Sequence, residues 1–114
     1  MGNGASKSLD RIVLKACIDL TFENLDDNEI YLKTELYEFA IENFTILSKQ
    51  MTGHTSTQFT NSRGNPILRM KSAFPETLLK RYGWQTIHRM THYFDEYGNR
   101  ISKVLPKIRR IPNE

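Results

Sequence analysis

The opening residues, Met1-Gly2-Asn3-Gly4-Ala5-Ser6-Lys7, carry the pattern of an N-myristoylation signal, with glycine second and serine sixth. Once the methionine is removed, only glycine presents an unhindered amine for acyl transfer, so Gly2 is the candidate lipidation site. His88, His92 and Glu96 recur four residues apart, which on a helix would align three metal-binding side chains on one stripe. Arg89 stands directly after His88, where the helical zinc motif has its glutamate, and a cation there repels a metal. No metal or cofactor is therefore expected. Cys17, the one cysteine, lies in the apolar run Ile12 to Leu20 and reads as an inert buried thiol, which leaves no disulfide and no cysteine-based zinc site. Phosphate-cradling, dinucleotide-binding and nucleophile-elbow motifs are absent, so no catalytic residue is assigned and the chain is expected not to be an enzyme.

Charge carries more information than any of these motifs. The formal net charge is +3, yet residues 1–50 hold nine acids against five bases, and residues 51–114 hold eleven bases against four acids. A molecule split in this way points its basic half at an anionic partner. The candidate contacts are Lys80, Arg81, Arg89, Arg100, Lys103, Lys107, Arg109 and Arg110, interleaved with Tyr82, Trp84 and Tyr93. Either an anionic membrane surface or a nucleic acid would meet them. Four of the nine acids, Glu29, Glu35, Glu38 and Glu42, fall within 29–49, a segment left to face a protein partner, and the dipolar surface is also suited to a homo-oligomer.

The elements that position these residues follow from periodicity. Leu9, Val13, Cys17 and Leu20 predict a helix from Ser8 to Glu23, and Asn24 to Asn28 a turn whose aspartates start the next helix. Ile30, Tyr37, Ala40, Ile41, Phe44 and Leu47 predict that second helix over about 29–49, packed back on the first as an antiparallel hairpin. Between residues 52 and 71 short alternation around Asn61 to Asn65 predicts a small β-hairpin, with arms Thr55 to Thr60 and Pro66 to Met70. From Pro75 the series Leu78, Leu79, Tyr82, Ile87, Met90, Tyr93 and Phe94 predicts a third helix, with Gly83 as a potential break. Ile101 to Leu105 forms a short extended run before Pro106 and a basic strand or tail. The fold class is α+β, mainly helical. One core is all that 114 residues fill: residues 1–8 are a flexible leader, 9–105 the globular domain and 106–114 the basic tail. No stretch is apolar over the roughly 20 residues a bilayer span requires, so a cytoplasmic protein, peripheral at most, is expected.

The MGNGAS start, the compact helical body and the basic residues together resemble the general plan of retroviral matrix domains and other myristoylated viral adaptors. The resemblance rests on about seven residues, and the basic cluster that matrix domains carry soon after the N-terminus is missing. It implies a non-enzymatic adaptor at the cytosolic membrane face, acylated at Gly2, with the C-terminal cations as the second anchor that one myristoyl chain requires. The alternative is a nucleic-acid-binding regulator or packaging protein, since a helix followed by a basic hairpin is also how a winged helix meets nucleic acid.

Overall fold

A computed structural model of the chain describes residues 3–54 and 65–112, with side chains from Asp10 onward. Gly2 and the expected strand Thr55 to Thr60, with most of its turn, lie outside the described residues. The elements in chain order are α1 (Asn3–Asn24), β1 (Tyr31–Leu32), α2 (Lys33–Thr52), α3 (Pro66–Lys71), α4 (Glu76–Arg81), β2 (Trp84–Phe94) and β3 (Arg100–Arg110). The fold is α+β and mainly helical, as the periodicity predicts.

The two long helices form where they are expected, with shifted ends. Helix α1 begins at Asn3 rather than Ser8. Helix α2 begins at Lys33 rather than Glu29, because Tyr31 and Leu32 are drawn into the sheet opposite Ile108 and Lys107. Asp26 therefore caps a turn instead of a helix, its carboxylate accepting from Asn28 N at 2.9 Å. Glu35 closes the start of α2 by accepting from Leu32 N at 3.0 Å, and Gly53, at φ 77°, ends the helix with its N–H on Lys49 O.

Val13 and Cys17 of α1 meet Leu36, Tyr37, Ala40 and Phe44 of α2 in one apolar cluster. Two polar contacts lock the pair: the Cys17 thiol donates to Ala40 O at 3.0 Å, and Asn43 donates to Thr21 Oγ1 at 2.9 Å. Met70, Phe74 and Leu79 close the cluster from the α3–α4 side, and Trp84 and Ile108 close it from the sheet. An aromatic train ties these layers together, with Phe22 stacked on Tyr82 at 4.4 Å and Tyr31 tilted against Trp84 at 6.0 Å.

Two sequence expectations fail. Pro66 to Met70 is not a strand but α3: Asn65 accepts from Ile67 N at 2.9 Å as an N-cap, and Pro66 occupies the first turn, where its missing N–H costs nothing. The expected helix from Pro75 to Phe94 stops at Arg81. Gly83, at φ 87°, turns the chain, and Trp84 to Phe94, rich in β-branched and aromatic residues, becomes an eleven-residue strand.

Candidate functional site

Strands β2 and β3 pair over all eleven residues in antiparallel register, from Trp84 opposite Arg110 to Phe94 opposite Arg100. Asp95 to Asn99 closes the hairpin. The Asp95 carboxylate accepts from Tyr97 N and Asn99 N, Asp95 O accepts from Gly98 N, and Gly98 sits at φ 81°, a type I turn followed by a glycine bulge. At about 3.4 Å per residue the ribbon is about 34 Å long. Its base alone touches the body, because β1 covers only Lys107 and Ile108 and the sheet order is β1-β3-β2. The molecule is accordingly flat and extended, 55 × 43 × 20 Å, with a radius of gyration of 16.5 Å against about 13 Å for a compact chain of this length.

Strand alternation divides the ribbon into two faces. Trp84 and Ile108 point into the core, and Thr86, His88, Met90, His92, Phe94, Arg100, Ser102, Val104, Pro106 and Arg110 share their face. On the opposite face, here the open face, none of the residues is buried: Arg89, Tyr93 and Lys103 are exposed and the others, Lys107 and Arg109 among them, are half-buried. This face presents five cross-strand rows: Gln85 with Arg109, Ile87 with Lys107, Arg89 with Leu105, Thr91 with Lys103, and Tyr93 with Ile101. Four successive rows thus carry one cation each, spaced about 7 Å apart. Neither strand contains an acid, and none of these four cations has an ion-pair partner among the described residues.

The hydrogen-bond phase explains how Pro106 sits inside β3. Gly83 O accepts from Ile111 N, and Asn99 O accepts from Asp95 N. Odd-numbered residues of β2 and β3 therefore bond each other across the ribbon, and even-numbered ones turn their backbone outward. Pro106 is even, so its missing N–H removes no bond between the two strands. Lys107, Arg109 and Arg110, read in sequence as a strand or tail beyond a breaking proline, are strand residues.

The eight sequence-predicted cations have different fates. Arg89, Lys103, Lys107 and Arg109 converge on the open face, while Arg100 stands on the other face beside the turn. Lys80 and Arg81 are exposed in the last turn of α4. Arg110 is committed to the fold: its Nη1 donates to Tyr82 O at 2.7 Å, and the guanidinium covers Gly83. His88 and His92 lie on a strand rather than a helix, with Glu96 in the turn, so no shared ligand stripe exists. His92 instead meets Ser102 Oγ at 2.7 Å. No group of three metal-ligating side chains occurs among the described residues.

Two features escape sequence reasoning. Arg11 and Lys15, counted in the acidic half, join Arg81 around an open groove of about 270 Å3 floored by Leu14, Ile18, Leu78 and Tyr82. Beside it the Tyr82 hydroxyl donates to Asp19, and that hydrogen bond raises the Tyr82 pKa, with burial and the Asp19 charge acting the same way. The other feature is the end of the ribbon, where Phe94 and Tyr97 are 71% and 81% exposed. On α2, Glu38 and Glu42 are exposed. No helix of the described residues is long and apolar enough to cross a membrane. No family model matches the chain, and neither a curated protein nor a solved structure is significantly similar to it.

Proposed function

We propose that this chain is a small, non-enzymatic nucleic-acid-binding protein of the cytosol that lays the open face of its β2–β3 ribbon along a phosphate backbone. The observation that carries the reading is the unbroken ladder of Arg109, Lys107, Arg89 and Lys103, with no acid in either strand. Two-stranded ribbons fit the width of a duplex major groove, and a row of cations at regular spacing matches an extended polyanion. The order of elements supports the same reading by analogy of arrangement: helix, short strand, helices, then a hairpin whose second strand pairs with the first short strand, as in a winged helix. Helix α4 has only six residues, so the hairpin takes the larger share of the contact.

Distance favours this ligand over a leaflet met end-on. Lys107 lies three rows, about 20 Å, from the Tyr93 row at the ribbon's end. With a Debye length of about 8 Å at physiological salt, a leaflet touched by that end would not feel Lys107 or Arg109. A polyanion lying along the ribbon engages all four cations at once.

Four neutralised phosphates predict a slope of log affinity against log salt of about −3.6 on duplex DNA and −2.8 on a single strand. Raising salt from 50 to 200 mM should then weaken binding about 150-fold and 50-fold respectively. Fluorescence anisotropy with labelled DNA and RNA oligonucleotides measures this. Binding that is absent, or indifferent to salt, removes the proposal; salt-sensitive binding to anionic vesicles alone would put the Gly2-acylated membrane-face reading in its place.

A further inference from the structure

The far end of the ribbon is unlike its shaft. Phe94 is 71% exposed, Tyr97 81% and Tyr93 43%, and they lie in the last two rows and the turn, Tyr93 on the ladder face and Phe94 on the reverse face. The core neither needs nor touches them, because their distance from Trp84 is nearly the whole length of the ribbon. Charge changes there as well. The Asp95 carboxylate is occupied by the N–H groups of Tyr97 and Asn99, and Glu96, at the apex, is exposed and negative. A phosphate is repelled from that apex, whereas the flat, apolar face of a base is not.

Tyr93 also continues the open face one row beyond Lys103, about 7 Å further along. A strand whose phosphates follow the ladder from Arg109 to Lys103 is thereby delivered, base first, to an aromatic end. Positive tracks that finish on aromatic platforms are the general means of holding unpaired bases, because every base has a stackable face.

We infer that the ribbon's end, Tyr93 on the ladder face with Tyr97 in the turn beyond it, is a stacking platform for unpaired bases, so that the ligand is single-stranded nucleic acid or a duplex with a single-stranded extension. This rests on the nucleic-acid reading above and goes beyond it in naming the form bound. Paired bases keep their faces inside the helix stack and offer these rings nothing; an unpaired strand offers a face every nucleotide.

The test compares wild type with the Tyr93→Leu, Tyr97→Leu double variant on a 20-nucleotide single strand and on the same sequence as a duplex, at several salt concentrations. Each lost stacking contact weakens single-strand binding about tenfold. The expected result is a loss of about 30- to 100-fold on the single strand, an unchanged salt slope because no charge is removed, and duplex affinity within twofold of wild type. A 2-aminopurine in the single strand should be quenched by wild type and not by the variant. Equal losses on both ligands, or no loss on the single strand, overturn the inference while leaving the ribbon's role intact. Failure of wild type to bind any nucleic acid removes the underlying reading instead. A concentration-dependent increase in mass on sedimentation of wild type, abolished in the variant, would overturn the inference by assigning the rings to a second copy of the chain. Melting temperature checks folding, and Tyr97→Ala alone, in the turn at 81% exposure, serves if the double variant is destabilised.

Discussion

Gly83→Ala should be among the most damaging single-methyl additions in this chain, and the structure says how the damage divides. At φ 87° an L side chain is strained by about 1–2 kcal/mol. The added Cβ would also stand 2.6 Å from Arg110 Nη1, too close to be tolerated. The guanidinium can swing away, but it then gives up its 2.7 Å hydrogen bond to Tyr82 O, a charged bond worth about 1.5–3 kcal/mol where partly buried. The total is about 3.5 kcal/mol, or about 14 °C in melting temperature at about 4 °C per kcal/mol for a domain of this size. Arg110→Ala alone should cost about 2 kcal/mol, the bond without the strain. In the double variant the bond can be lost only once, so the pair should again cost about 3.5 kcal/mol, about 2 kcal/mol short of additivity. Chemical denaturation of the four proteins measures the cycle. If the two changes add to within about 0.5 kcal/mol, Gly83 and Arg110 are independent and the reasoning is wrong. This contact matters beyond stability because Tyr82 ends α4 and Arg110 ends β3, so it helps set the angle at which the ribbon leaves the body.

Two further outcomes check the strand register and the core. Pro106→Ala should change stability by less than about 0.5 kcal/mol, whereas Leu105→Pro, one residue earlier and bonded inward, should cost about 3 kcal/mol or unfold the ribbon; urea denaturation followed by circular dichroism separates them. Burial pushes the Cys17 thiol up to about 11 from 9.0, against a smaller lowering by the Thr21 hydroxyl. Below pH 9 the thiol is protonated folded and unfolded, so its contribution is fully present. As pH rises from 9 to about 11 the unfolded thiol ionises first and stability should fall by about 2 kcal/mol relative to Cys17→Ala, measured by denaturation across that range. An equal fall in both proteins would refute the assignment.

The helical body was legible because its signal is redundant. In α2, Tyr37, Ala40 and Phe44 recur at helical spacing over a 20-residue element and are all buried. Residues 84–94 misled because apolar side chains occur on both faces of β2: Ile87, Met90, Tyr93 and Phe94 fit a helical count while Trp84, Thr86, Met90 and Phe94 fit an alternating one. Local pattern could not choose between them. The choice is made by β3, whose eleven residues supply every cross-strand partner, and by Gly83, whose positive φ ends α4. Pro106 concealed β3 in turn, since a proline reads as a break until the hydrogen-bond phase shows that its nitrogen faces outward. The short α3 had a usable signal in Asn65-Pro66, a cap followed by a first-turn proline, that the surrounding serines and threonines outweighed.

The candidate site shows how far composition reaches. Counting charges located the basic half and named every cation now on the ribbon, but a count cannot separate Arg109 from Arg110. Adjacent strand residues face opposite ways, so one guanidinium is presented on the open face and the other is held over Gly83 by Tyr82 O. The same parity places Lys103 and Lys107 with Arg89 and sends Arg100 to the far face. A one-residue slip in β3 would dissolve the ladder while leaving the composition, the net charge and the fold class unchanged. Register therefore links the sequence to the candidate site. It is fixed at one end by Trp84, Ile108 and Arg110, and at the other by the Asp95 carboxylate and Gly98, so substitutions that loosen either end should scatter the cations before they unfold the domain.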